Sequence, residues 1–221
     1  MATQLVQQYL SDELGRLYAE KYFSEEAKAD VEDMVYDFID IYKDRIRSLG
    51  WMSDTTKAKA IEKLDALGVK VGYPDEGKWN NYFKGVTLKT ADEGGSYFDN
   101  IITMMKAQEQ MLIEWQNRPV NKDLWPMAAY TVNACYVPAN NEIVFPAGIL
   151  QAPLYDVNAS REENLGGIGY VIAHEITHAF DNNGAKYDRD GNAADWWTAE
   201  DYAAFQQLCD EVAAYYDEIG R

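Results

Sequence analysis

The chain has 221 residues, 47% of them apolar, which suits one large domain or two small ones. Its net charge of −17 at pH 7 excludes a nucleic-acid-binding face, which needs basic patches. The charge reads as a solvated acidic surface rather than a device for cationic peptides. No apolar run is long enough to span a membrane, and Cys135 and Cys209 are too few for a disulfide framework.

Residues 1–10 have neither a basic start nor an apolar centre, so they are not a signal peptide. The compartment stays unassigned, with the cytoplasm as the default for a soluble chain. For a piece of a longer protein this says nothing about the parent. Residues 5–23 read as a first helix. Ser24 then caps a second, in which Ala27, Val31, Met34, Val35, Phe38, Tyr42 and Ile46 keep helical spacing up to Gly50. Such a stripe is core packing rather than a binding site. Ser53 or Asp54 caps a third helix that ends near Gly68. Residues 69–71 suit a short strand closed by Gly72 and Pro74, and residues 75–95 read as irregular. Helical rhythm returns over 96–116 through Ile101, Met104, Met105, Gln108, Met111 and Leu112, with the methionines expected as core fillers. Pro119 and Pro126 bracket a connector, which is the predicted boundary between segments 1–120 and 121–221.

In the second segment, residues 129–137 alternate and carry Thr, Val and Tyr, so they predict a strand. A turn at 138–140 and a second strand over 141–145 complete a hairpin that leads to a glycine-rich turn at Gly166, Gly167 and Gly169. The helix that follows carries the only two histidines, as His174-Glu175-Ile176-Thr177-His178. Residues 188–191 spell D-x-D-G, but the later ligands of a twelve-residue calcium loop are missing, so they predict a plain turn. Trp196 and Trp197 are expected to pack a last helix over 199–219.

The histidine spacing carries the chemistry. Positions i and i+4 lie on one helix face, one turn apart, so both imidazoles can hold one metal ion from the same side. Glu175, one position on, points beside the metal and can act on a bound water. Two histidines placed at random in a chain of this length fall four apart in about one case in a hundred. Apolar flanks (Ile168, Tyr170, Val171, Ile172, Ala173, Ile176, Ala179 and Phe180) predict a buried helix, whose polar groups then need partners. Zinc is the expected ion. One large class of zinc peptidases continues H-x-x-G-x-x-H after the second histidine; Asp181 and Gly184 occupy those positions, which excludes it. The third ligand is then expected to be a carboxylate from a later helix. Glu200 lies 22 residues beyond His178, a thermolysin-like spacing, but Thr198-Ala199-Glu200-Asp201 reads better as a capped helix start. Asp181 falls on the histidine face, either as an acceptor that fixes an imidazole tautomer or as a solvated helix-end residue.

Several further stretches carry a family resemblance. They are Val132-Asn133-Ala134-Cys135-Tyr136, the run from Asn140-Asn141-Glu142 to Leu150-Gln151, Gly166-Gly167-Ile168-Gly169, and Asp190-Gly191-Asn192 through Asp195-Trp196-Trp197. With the histidine motif, and with Leu14-Gly15-Arg16-Leu17-Tyr18, Trp51-Met52 and Gly72-Tyr73-Pro74-Asp75 upstream, the chain resembles the neprilysin-type (M13) zinc metallopeptidases. The resemblance implies a mainly helical α+β fold, with a zincin-like active-site helix beside a small β-hairpin or sheet. Segment 121–221 would be part of the catalytic domain. His174 and His178 would be zinc ligands and Glu175 the general base. Asn133 and Ala134 would sit on the strand that grips the backbone of a peptide substrate. Cys135 stands where the family usually has an aromatic. The family's third ligand, in a later Glu-x-x-x-Asp helix, and the histidine and arginine that follow it have no counterpart before Arg221. The chain therefore reads as an internal piece of a zinc endopeptidase, to be completed by the remainder of its own protein. The alternative is a non-catalytic peptide-binding or structural module that keeps the helix.

Overall fold

The structure is a computed structural model that describes residues 2–79, 83 and 85–220. Asn80, Asn81, Tyr82 and Lys84, within the stretch predicted as irregular, lie outside the described residues, as do Met1 and Arg221. The fold is mainly helical with one small sheet, as the α+β reading expects.

The first predicted helix is two, α1 (Ala2–Tyr9) and α2 (Ser11–Tyr22). The break falls at Leu10, whose φ of −121° and ψ of 36° leave the helical region. Ser11-Asp12-Glu13 after it puts two carboxylates in a first turn, where the helix dipole favours them. Helix α3 (Glu25–Ser48) is capped as predicted, with Ser24 accepting from the Ala27 amide at 3.1 Å. It buries Ala27, Val31, Met34, Val35, Ile39 and Ile46, while Phe38 and Tyr42 pack at the margin of the core. Ser53 caps α4 (Asp54–Asp65).

Strand β1 (Gly68–Gly72) runs parallel to β3 (Glu142–Pro146), and β2 (Cys135–Val137) pairs antiparallel with β3's other edge. The order β1-β3-β2 puts β3 in the middle, and all five of its residues are buried. Segments from either side of residue 120 thus share one sheet. They also share one core, in which Val31, Val35 and Leu64 join Ile143, Phe145, Ile168, Ile172 and Ile176.

Two further expectations need correction. Only 135–137 of the predicted strand 129–137 is a strand. The segment before it turns instead, with the Thr131 amide on the Ala128 carbonyl at 2.9 Å. Its Ala129 carbonyl accepts from Gly148 at 2.8 Å, and a Cβ at Gly148 would meet the Tyr130 oxygen at 2.4 Å. The backbone here is committed to a close crossing, not to a ladder. The second correction concerns α5 (Tyr97–Trp115), which Ser96 caps where a helix was predicted. Its methionines do not fill a core: Met104 alone is buried, and Met105, Leu112 and Ile113 are exposed.

A helix absent from the expectations, α6 (Arg161–Gly166), precedes the histidine helix. It opens on a capping box in which Ser160 and Glu163 each bind the other's amide. The histidine helix α7 (Ile168–Thr177) starts at Gly167, where a Cβ would meet the Leu154 carbonyl at 2.3 Å. That carbonyl accepts from Ile168 at 2.7 Å, so the approach fixes the start of α7. Across the core, Tyr42 of α3 places its hydroxyl 2.8 Å from the Ala173 carbonyl. The last helix, α8 (Ala199–Ile219), follows the two tryptophans.

Candidate metal centre

Helix α7 presents two faces of opposite character. Ile168, Ile172 and Ile176 are fully buried beneath it, each worth roughly 1.5–3 kcal/mol of burial. His174 is exposed, His178 half-buried and Tyr170 of the flanks 74% exposed, so the helix is not buried all round as expected: its isoleucine side is covered and its imidazole side is not. Their Nε2 atoms face each other at 3.0 Å. Two ring nitrogens this close either share one proton or turn lone pairs toward one cation.

The second ring nitrogen of His178 is occupied. Its Nδ1 lies 2.7 Å from Asp181 Oδ2, and a carboxylate there takes the N–H, which leaves the lone pair on Nε2. Asp181 Oδ1 accepts the amides of Asn183 at 2.8 Å and Gly184 at 2.7 Å. Partial burial pushes the Asp181 carboxyl up, but the bonds from His178, Gly184 and Asn183 outweigh it and hold it below its ordinary value. Gly184 has no alternative here, because a Cβ would meet the His178 carbonyl at 1.9 Å.

Glu175 is buried, at 6% exposure, and one of its carboxylate oxygens groups with the two imidazoles within 4.8 Å. Burial raises its pKa, with the charges of His178 and His174 and the Tyr136 backbone amide opposing. Tyr136 belongs to β2, so the short strand lies against the acid. The thiol of Cys135 on the same strand is raised by burial and then by the charge of Glu175. Among the described residues the donor group consists of His174, Glu175 and His178. Two imidazole nitrogens that face each other and a carboxylate beside them match the donors that zinc takes.

The remaining predicted residues divide. Asn133 is exposed and Ala134 buried, in irregular backbone just before β2 rather than on the strand expected for them. Glu200 is exposed in the first turn of α8 and outside the donor group. The capping reading of that segment holds: Thr198 accepts from the Asp201 amide at 3.1 Å. The D-x-D-G stretch is a turn in which Asp188 binds the amides of Asp190 and Asn192.

Two residues beneath the centre were not anticipated. Asn141, with a φ of 49°, donates to the Lys63 and Arg189 carbonyls and accepts from the Tyr136 hydroxyl. Lys63 is 1% exposed and donates to three carbonyls just beyond His178. Burial pushes its pKa down to about 8, against the charges of Asp188 and Asp181. A lysine on a helix carries no sequence signal of burial. Asn141 lay within the family-like run, but its side chain's role was not legible there.

Comparisons with known proteins agree with this geometry. Residues 133–221 and residues 1–74 each match a family profile described as Peptidase family M13. The chain is 43% identical over 206 residues to a neutral endopeptidase of Lactobacillus helveticus, covering 93% of this chain and 31% of that protein. It is 39% identical over 203 residues to human neprilysin, covering 90% and 26%. The crystal structure of PEPO from Lactobacillus rhamnosis superposes with a TM-score of 0.87 at 38% identity, covering 96% of this chain and 33% of that one. The Mycobacterium tuberculosis zinc metalloprotease ZMP1, solved with an inhibitor, gives 0.80 at 39% identity, covering 92% and 30%. The chain spans about a third of the length of the relatives it matches.

Proposed function

Because this chain belongs to peptidase family M13, we propose that it is part of a zinc-dependent endopeptidase, with His174 and His178 as metal ligands and Glu175 as general base. The observation that carries this reading is the convergence of the two Nε2 atoms at 3.0 Å while Asp181 holds the other nitrogen of His178. The relatives named neutral endopeptidase and neprilysin support the same chemistry.

Zinc, when bound, supplies a Lewis acid that polarises a carbonyl and lowers the pKa of a coordinated water. The chain's own groups do the rest. Asp181, on His178 Nδ1, would leave the Nε2 lone pair available to hold the ion. Glu175 takes the proton of the attacking water and passes it to the leaving amine; burial, by raising its pKa, suits it to hold that proton in transit. Strand β2 is one of the two outer strands of the sheet, and an extended peptide substrate can add to its edge through backbone hydrogen bonds. Asn133 and Ala134, at the start of that edge, would align the peptide over Glu175. The third ligand would come from the part of the protein that its longer relatives also possess.

The test is a calorimetric zinc titration together with Glu175→Gln. Zinc binding is expected to survive the substitution, while peptide cleavage by the whole protein falls by about 10²–10⁴-fold. A Glu175→Gln protein with normal turnover would sink the assignment of the base. A whole protein that binds zinc and peptides yet cleaves none would favour a peptide-binding module.

A further inference from the structure

Lys63 is among the largest fully buried side chains of the described residues, and it is a cation. Its donors are filled by main chain: the carbonyls of Ala179 at 2.9 Å, Gly184 at 2.7 Å and Tyr187 at 2.6 Å. An ammonium has three N–H groups, so the set is complete. The rings of Trp196 and Tyr136 flank it at 5.5 and 5.7 Å. All three carbonyls belong to residues 179–187, the stretch that leaves the second histidine.

One residue joins this anchor to the site. Gly184 gives its carbonyl to Lys63 and its amide to Asp181 Oδ1, and Asp181 Oδ2 meets His178 Nδ1. From the other side, the Lys63 carbonyl takes the Asn141 amide, and Asn141 Oδ1 takes the hydroxyl of Tyr136 on β2. A lysine on α4 therefore braces both the loop behind His178 and the strand beside Glu175.

We propose that Lys63 is a positioning residue for the histidine pair. By gathering three carbonyls it keeps residues 179–187 folded so that Asp181 meets His178 Nδ1, which leaves the Nε2 lone pair facing His174. The inference rests on the reading of His178 as a metal ligand, but its core is the state of one imidazole, which can be observed without metal.

The chain has two histidines, so 15N-histidine labelling gives two ring systems by NMR. Under conditions where both rings are neutral, His178 in the wild-type chain is expected to be held as the Nδ1–H tautomer. Lys63→Met should return it to the mixed tautomers of a free imidazole, and Asp181→Asn should do the same. The double variant should go no further than Asp181→Asn alone, because both changes act through one carboxylate. Zinc affinity should fall about 10–100-fold in Lys63→Met, the usual cost of losing an outer partner of a ligand. Lys63→Gln retains amide donors and serves as the second variant should Lys63→Met not fold; it should give an intermediate ring state. A folded Lys63→Met or Lys63→Gln chain with the wild-type His178 signals overturns the proposal. So does an Asp181→Asn chain whose His178 tautomer is unchanged. Wild-type protein that binds no zinc would count against the metal reading, while the ring signals would still decide the role of Lys63.

Discussion

Helices α7 and α5 show the same kind of pattern in sequence and have opposite fates. Both carry large apolar residues at helical intervals. Under α7, Ile168, Ile172 and Ile176 are sealed against α3 and the sheet. Along α5, Met104 alone is buried, while Phe98, Met105, Leu112 and Ile113 face outward. Helix α8 combines both conditions. Asp201 in its first turn is buried, and from Gln206 onward the described residues are exposed. Helical periodicity records which side of a helix is apolar; what covers that side is decided elsewhere in the chain.

The largest effect expected from this contrast is at Ile172, which is fully buried. Ile172→Ala should cost about 2–5 kcal/mol, because the lost methyl groups leave a cavity between α7 and α3. Equilibrium urea unfolding measures it. A cost below about 1 kcal/mol would mean that the α7 contacts are looser than the described packing.

A middle-sized effect belongs to the anchored end of α8. Asp201 accepts from the Ser53 amide at 2.8 Å, from the Ser53 and Thr56 hydroxyls at 2.5 Å each, and from the Thr198 hydroxyl at 2.8 Å. Burial pushes this carboxyl up, but the donors prevail and bring it from 3.8 down to about 2. The folded value lies below the unfolded one, so the stabilisation is full above about pH 4 and is lost as pH falls toward 2. A displacement of this size corresponds to about 2 kcal/mol. Unfolding curves for wild-type and Asp201→Asn chains should therefore differ by about that much near pH 6 and converge below pH 2. A difference that stays constant across this range would mean that the Asp201 charge is not what ties α8 to α4.

How much of this was legible depended on how local each cause is. The caps at Ser24 and Thr198 need only a hydroxyl and the next three residues, and both stand where the sequence placed them; of the two candidates before α4 Ser53 is the cap, and Ser96, read as the first residue of a helix, caps α5. The histidine pair is equally local, since four residues of helix suffice to bring the rings together. The Ser160–Glu163 capping box is equally local, but the helix it opens has only six residues, too few to show an apolar period. What could not be read depends on distant partners. The end of the predicted strand 129–137 is set by Gly148, and the burial of Lys63 by carbonyls more than a hundred residues away. Asn133 and Ala134 are implied by family resemblance alone, and they lie in irregular backbone that an alternating pattern does not distinguish from a strand.

The smallest expected effect tests the bare side of the comparison. Leu112 is 51% exposed on α5, so removing its apolar side chain forfeits little burial. Leu112→Ser should change stability by no more than about 0.5 kcal/mol, the range of ordinary surface substitutions. The same urea unfolding that reports on Ile172 checks it. Should Leu112→Ser cost as much as Ile172→Ala, the α5 face is covered in solution, and the distinction between the two helices is one of partner rather than of burial. Should it cost nothing, the apolar rhythm of α5 contributes nothing to this chain's stability, and the same sequence pattern marks core in α7 and surface in α5.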